Sequence, residues 1–224
     1  MNVFYEPKLS EGITSLDGDE AHHAKVLRLS AGDNILVTDG KGLICKAVIT
    51  SNGFKILEQT NTPRDYSVNL FVAPTKNADR MEWLVEKATE IGISSITMVR
   101  CEHSERKNIN RDRLVKMAVS AMKQSQQAWL PDVKELAVFS EIIKMKFDQN
   151  FIAYVDHSNP DQLKDLAQPG KTYGLLIGPE GDFTPGEIDL AINNGWRKVG
   201  LGPTRLRTET ASLIGALTLV LVNN

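Results

Sequence analysis

Leu175-Leu-Ile-Gly-Pro-Glu-Gly-Asp-Phe-Thr-Pro-Gly-Glu187 and Val199-Gly-Leu-Gly-Pro-Thr-Arg-Leu-Arg-Thr-Glu-Thr-Ala211 share one pattern. Each is a short apolar strand that runs into a Gly-Pro loop and then a helix start. In an open α/β sheet, ligands bind just beyond the carboxyl ends of strands. Two Gly-rich exits of this kind imply one shared ligand pocket. Thr184-Pro-Gly-Glu187 is a capping box with Pro at the first helical position. It sets a helix start, with its free N–H groups, beside the Gly178–Gly181 loop.

Outward from these loops the grammar alternates. Val68–Ala73, Ile93–Val99, Phe151–Val155, Leu175–Ile177 and Lys198–Leu201 read as strands. Between the first two lies a helix over Ala78–Ile91, with its apolar stripe at Met81, Leu84, Val85, Ala88 and Ile91. Asn77 caps its start and Gly92 stops it. Asn110 opens a long helix, and Asn159-Pro160 a short one. Such alternation predicts a mostly parallel sheet covered on both faces. Ala211–Val222 is apolar nearly all round, so it is either wholly buried or shared with a second subunit.

Residues 1–66 follow a different rule. Short apolar runs are separated by Asp39-Gly-Lys-Gly42 and Asn52-Gly53, which are hairpin signals. They predict a small antiparallel barrel, interrupted by one helix within Asp19–Leu29 that ends at Ala31-Gly32. Thr60-Asn-Thr-Pro-Arg-Asp65 is a linker signature. The chain therefore divides into domains at 1–66 and 67–224.

Composition narrows the function classes. The 224 residues are 42% hydrophobic with a net charge of −2, so overall charge does not point to nucleic acid. Arg100–Lys123 does: seven basic residues face three acidic ones. That run is either a solvated helix face or an RNA-phosphate contact. Cys45 and Cys101 form no metal or C-x-x-C spacing and read as reduced thiols of a cytoplasmic protein. No signal peptide opens the chain, and its longest apolar run is too short to span a membrane. A Rossmann G-x-G-x-x-G and a phosphate-binding G-x-x-x-x-G-K-[ST] are both missing, which excludes the usual dinucleotide and ATP sites. No metal site is expected.

Four blocks carry a family resemblance: His22-His-Ala-Lys-Val-Leu-Arg-Leu-Ser-Ala-Gly-Asp33, the helix after Lys76, Gly178-Pro-Glu-Gly-Asp-Phe-Thr-Pro-Gly-Glu187, and Leu201-Gly-Pro-Thr-Arg-Leu-Arg-Thr-Glu-Thr-Ala211. Together they resemble the SPOUT methyltransferases. More narrowly, they resemble the branch that methylates N3 of a uridine in 16S (small-subunit) ribosomal RNA. The resemblance implies a PUA-like β-barrel that grips RNA, followed by an α/β domain with a C-terminal trefoil knot. It also implies S-adenosylmethionine as co-substrate and a homodimer in the cytoplasm. A SPOUT enzyme acting on transfer RNA, or a non-catalytic RNA-binding assembly factor on the same fold, are the other readings. The family pattern has Gly at Asp182, Arg at His103, and Gly-Arg at Gln126-Gln127, so this chain departs from it at those positions.

Carried over residue by residue, the resemblance places S-adenosylmethionine against Gly178, Pro179, Gly181, Leu201, Gly202, Leu206 and Thr208. Glycines let the backbone approach the ligand, and Leu201 and Leu206 sandwich its base. Methylation at N3 requires that the N3 proton leave, so a base and a cation near the developing oxyanion are both useful. Arg207 is the expected electrostatic clamp, and Glu209 or Glu180 the base or orienting group. Alternatively, Arg207 and Glu209 pair with each other and hold the loop. RNA contacts are expected from His22, Lys25, Arg28, Lys76, Arg80, Arg106 and Lys107. A solvated surface is the alternative for the helix carrying His22, Lys25 and Arg28.

Overall fold

A computed structural model describes residues 1–106, 108–156 and 159–224. Two compact units emerge, Met1–Arg64 with Val119–Leu130, and Asp65–Ala118 with Pro131–Asn224.

In the first unit, β1 (Val3–Tyr5), β2 (Asn34–Thr38), β3 (Leu43–Thr50) and β4 (Gly53–Asn61) form a four-stranded sheet in that spatial order. The hairpins fall at Asp39–Gly42 and at Ser51-Asn52, as the turn residues predict. Their cause is visible at the first: Asp39 Oδ1 accepts from the Lys41 and Leu43 N–H groups. One expectation fails. β1 runs parallel to β2, with Phe4 opposite Val37, so the sheet is not wholly antiparallel. The connection from β1 to β2 is long enough, through α1 (Gly18–Val26), to reverse the chain. Phe4, Ile35, Val37, Cys45, Ala47 and Phe54 fill the core.

α1 ends earlier than Ala31-Gly32. Leu29 N–H returns to Ala24 C=O and Arg28 N–H to Lys25 C=O, which is a Schellman closure. Arg28 occupies the left-handed position with φ 54°. α1 buries no residue fully, and Val26 is exposed.

The second unit contains β5 (Ser67–Val72), α2 (Ala78–Glu90), β6 (Ser95–Arg100) and α3 (Arg111–Gln124), whose last turns count with the first unit. β7 (Asp132–Val133), β8 (Ala137–Val138), α4 (Phe139–Ile142), β9 (Gln149–Ala153) and α5 (Leu163–Leu166) follow. β10 (Thr172–Ile177), α6 (Pro185–Asn193), β11 (Arg197–Val199) and α7 (Thr208–Leu221) complete it. The sheet order is β11-β9-β10-β5-β6-β7, with β8 also on β6, and every pairing is parallel. Parallel pairing puts every strand's carboxyl end on one edge, which decides where a ligand can sit.

Local chemistry sets the helix starts. The Asn77 side chain accepts from Asp79 N–H at 2.8 Å, and Asn110 Oδ1 from Arg113 N–H at 3.1 Å. Thr184 and Glu187 make the expected reciprocal capping box. Asn159-Pro160 starts no helix directly. Asn159 forms an Asx turn onto Asp161 N–H, and α5 begins at Leu163. Side chains alternate across the sheet. Phe71, Ile152 and Leu176 face α4, α6 and Trp196, while α7 packs on β5 and β10 from the other side. Gly215 permits that packing, since a Cβ there would lie 2.7 Å from Leu175. Among the described residues no helix is long and apolar enough to cross a membrane.

α3 closes as α1 does. Gln127 N–H bonds Met122 C=O, and Gln126 takes the left-handed position with φ 56°. That is where the family pattern has Gly. A left-handed L-residue costs about 1–2 kcal/mol, which exceeds the ~0.5–1 kcal/mol chain-entropy cost of Gly. Gln126→Gly should therefore stabilise the protein by about 0.5–1 kcal/mol, read as a higher urea midpoint at unchanged slope.

Candidate functional site

The exits of β9, β10 and β11 converge on a cleft of about 560 Å³. Its walls come from Tyr154–Asp156, Gly178–Glu180 with Asp182, and Gly200–Thr208, with Arg80 of α2 at one side. A volume of this size lies within the range of small-molecule sites. A smaller hollow of about 340 Å³ shares Pro179 and Glu180 with it and is lined also by Lys76, His103, Glu105 and Gly181.

Hydrogen bonds lock the loops to one another. Thr208 Oγ1, buried, donates to Gly178 C=O at 3.1 Å, so it joins the two Gly-rich loops at their bases. Gln162 Oε1 accepts from Gly202 N–H at 3.1 Å. An added Cβ at Gly200 would strike the same Gln162 side chain at 2.6 Å. Gly202 itself has φ 125° and open space where a Cβ would stand. A ligand can therefore approach the backbone there. His103 Nδ1 lies 3.2 Å from Gly181 C=O and 3.0 Å from Asp182 C=O, so the tautomer with Nδ1–H donates to the loop.

Asp182 has φ 62°, a second left-handed position where the family pattern has Gly. Its carboxylate accepts from Phe183 N–H at 2.8 Å. Burial pushes its pKa up, against the opposing pull of the Phe183 and Val155 N–H groups, Arg205 and His103. Just past the end of β6, burial and the nearby Glu187 raise the Cys101 thiol far above its ordinary value, so it is an inert core group.

Six of the seven expected ligand-loop residues, Gly178, Pro179, Leu201, Gly202, Leu206 and Thr208, line the cleft. Gly181 lines the adjoining hollow instead. Arg207 is exposed on the cleft wall and makes no ion pair with a described residue. The alternative Arg207–Glu209 pair is therefore not formed. Glu209 is buried and pairs with Arg80, its Oε1 3.7 Å from Arg80 Nε. Glu180 Oε1 accepts from Arg80 Nη1 at 3.2 Å. Arg80 thus stands inside the cleft wall, tethered from both loops.

His22, Lys25 and Arg28 are exposed on and just after α1, while His23 turns inward against Phe4. Lys76 reaches Glu105 at 3.4 Å and Arg106 is half-buried. Lys107 lies outside the described residues. Local sequence patterns did not signal Gln162, Tyr154, Val155 or Asp156, because their roles depend on β9 lying between β10 and β11. Val155 is 48% exposed, a large apolar side chain left open in the cleft. Among the described residues no three His, Cys, Asp or Glu side chains gather as a metal site.

Comparison with known proteins agrees with this architecture. An RNA methyltransferase domain profile matches residues 62–220, and an RNA methyltransferase PUA domain profile matches residues 16–58. Ribosomal RNA small subunit methyltransferase E of Bacillus subtilis (strain 168) is 27% identical over 221 residues, covering 89% of this chain and 86% of its own. The crystal structure of a probable rRNA-methyltransferase from Porphyromonas gingivalis superposes with a TM-score of 0.89 at 35% identity, over 100% of this chain and 98% of that one. The structure of a ribosomal RNA small subunit methyltransferase E from Neisseria gonorrhoeae bound to S-adenosyl methionine gives 0.84 at 26% identity, over 100% and 98%.

Asp182 has a pH signature. Its folded pKa lies above the ordinary 3.8, so the folded protein holds this proton more tightly than the unfolded chain. Its contribution to stability is full below 3.8 and is lost as pH rises through the raised folded value. Asp182→Asn keeps the acceptor for Phe183 and removes the buried charge. The variant should melt higher than the parent at neutral pH, and the gap should close as pH falls towards 3.8.

Proposed function

We propose, since this chain belongs to the RNA methyltransferase family and also matches an RNA methyltransferase PUA domain, that it transfers the methyl group of S-adenosylmethionine to N3 of a specific uridine in 16S (small-subunit) ribosomal RNA. The observation that carries this reading is the cleft formed where both family loops meet, pinned by Thr208 to Gly178. The named relatives support the substrate class, and the ligand in the Neisseria gonorrhoeae structure supports the methyl donor.

The residues present fit that donor. Gly178 and Gly202 expose backbone to it, and Leu201, Leu206 and the open Val155 offer apolar surface for its base. Bound there, S-adenosylmethionine supplies an electrophilic methyl whose bond to sulfur breaks as the bond to N3 forms. The protein must orient the uracil and take the N3 proton. Glu180 faces the cleft and is the proposed base, and Arg207 on the opposite loop is the proposed clamp for substrate negative charge. Gly181 acts through the shape of its loop, beside the smaller hollow.

The first 66 residues are the proposed RNA grip, with His22, Lys25 and Arg28 as phosphate contacts on an exposed helix and turn. Lys76, Arg106 and Lys107 extend that role beyond β5 and β6, on a methyltransferase domain spanning 67–224. One feature supports a knotted C-terminus. β11 lies outside β9, yet the chain then returns to place α7 on β10 and β5. α7 leaves Ile214, Leu217 and Leu221 exposed, which supports the proposed homodimer; the cytoplasm remains the proposed compartment.

Methyl-labelled S-adenosylmethionine, incubated with the protein and small subunits lacking the modification, should place label in 3-methyluridine after digestion to nucleosides. Label in another nucleoside, or none with no cofactor bound, would defeat the assignment. Light scattering at micromolar protein should give twice the monomer mass, and a monomer would remove the dimer.

A further inference from the structure

Arg80 is the basic side chain held most firmly at the cleft. It sits in the first turn of α2, and its side chain is 34% exposed. It touches both family loops, through Glu180 at 3.2 Å and Glu209 at 3.7 Å. Only the first contact is a hydrogen bond. A guanidinium has five N–H donors in a rigid fork. Nη2 makes no hydrogen bond among the described residues, so donors remain for a ligand.

The two carboxylates are not equivalent. Glu180 lines the cleft, but Glu209 does not. The Glu209 side chain is only 9% exposed, and its Oε2 is buried with no hydrogen-bond partner among the described residues. A buried carboxylate oxygen without a donor is costly. The first turn of α7 offsets part of that cost, because helix N-termini favour negative charge. The Arg80 charge offsets more. Glu209 is therefore built to stand behind Arg80 and cannot reach a substrate proton across it.

We infer that Arg80 is a catalytic residue that stabilises the oxyanion forming on a uracil carbonyl, and that Glu209 is a positioning residue that aims it. This rests on the uridine-N3 reading above. The charges balance through the step. The N3 proton passes to a Glu180 oxygen, and the electron pair left on the ring spreads to its carbonyls. Neutral Glu180 releases its hold on Arg80 at the moment the ring becomes negative. Arg80 then turns its hydrogen bonds from Glu180 to the carbonyl oxygen. The ring nitrogen attacks the methyl carbon, the carbon–sulfur bond breaks with its electron pair left on the departing neutral thioether, and the ring is neutral again.

The test uses the full-length protein, small subunits lacking the modification and four variants: Arg80→Ala, Arg80→Lys, Glu209→Gln and Glu209→Ala. Calorimetry gives the S-adenosylmethionine Kd of each. Arg80→Ala should lose about 100- to 1,000-fold in kcat, the usual effect of deleting a charge-stabilising donor, while Kd moves by no more than about threefold. Added guanidinium should restore part of the Arg80→Ala activity and none of the Glu209→Ala activity. Arg80→Lys should stay well below wild type, since an ammonium does not reproduce the fork. Glu209→Gln should lose about tenfold in kcat and keep the ascending limb of the pH–rate profile.

An Arg80→Ala enzyme with wild-type kcat would overturn the inference. So would a fall in cofactor affinity equal to the fall in turnover, which would make Arg80 a strut. A Glu209→Gln profile without its ascending limb would make Glu209 the base and overturn its positioning role. Wild-type label in a nucleoside other than 3-methyluridine would overturn the uridine reading and, with it, the oxyanion role. That failure appears in the wild-type digest, before any variant is compared.

Discussion

Parallel pairing of β10 with β5 on one side and β9 on the other is the constraint on which the rest depends. Leu175 lies opposite both Leu70 and Phe151, so three strands end at nearly one level. Because every pairing in this sheet is parallel, each of these exits opens on the same edge. A parallel sheet must also be covered on both faces. Phe71 and Trp196 on one side, and α7 with Gly215 against Leu175 on the other, meet that demand. A cleft then follows from chain geometry, since the loops after β9, β10 and β11 leave that one edge side by side.

Electrostatics within the cleft edge is arranged in pairs that cross between loops. Arg80 from α2 meets Glu180 after β10 and Glu209 at the start of α7. Asp182 is held by backbone N–H groups from Phe183 and Val155, which ties the β10 exit to the β9 exit. Apart from the Asp182–Phe183 bond, each contact joins segments distant in sequence, so the loops are restrained by one another as well as by local turn propensity. An exposed pair such as Lys76–Glu105 adds little rigidity by comparison.

Two of the departures from the family pattern have a common backbone cause. Asp182 and Gln126 both stand where that pattern has Gly, and both adopt positive φ. The fold keeps the left-handed turn and accepts a strained side chain. At Asp182 the side chain is recruited as an acceptor for Phe183 N–H, which compensates. At Gln126 the structure shows no comparable gain. His103, in place of Arg, serves the loop through its ring nitrogen to two carbonyls.

Local features were legible in the residues. The strand–helix alternation, the Asn77 cap and the Thr184–Glu187 box depend on neighbours within a few positions, and they appear where expected. The two Gly-Pro loops were readable for the same reason, and six of their seven expected residues line one cleft. Spatial order was not legible, because periodicity says which face of a strand is apolar but not which strand lies beside it. Hence the parallel β1–β2 edge, the place of β9 between β10 and β11, and the grip of Gln162 on Gly202 came only with the three-dimensional arrangement. The same reason separates Arg207 from Glu209. Two residues apart in sequence, they suggested an ion pair, yet burial at the start of α7 turns Glu209 towards Arg80 and leaves Arg207 facing solvent and the cleft.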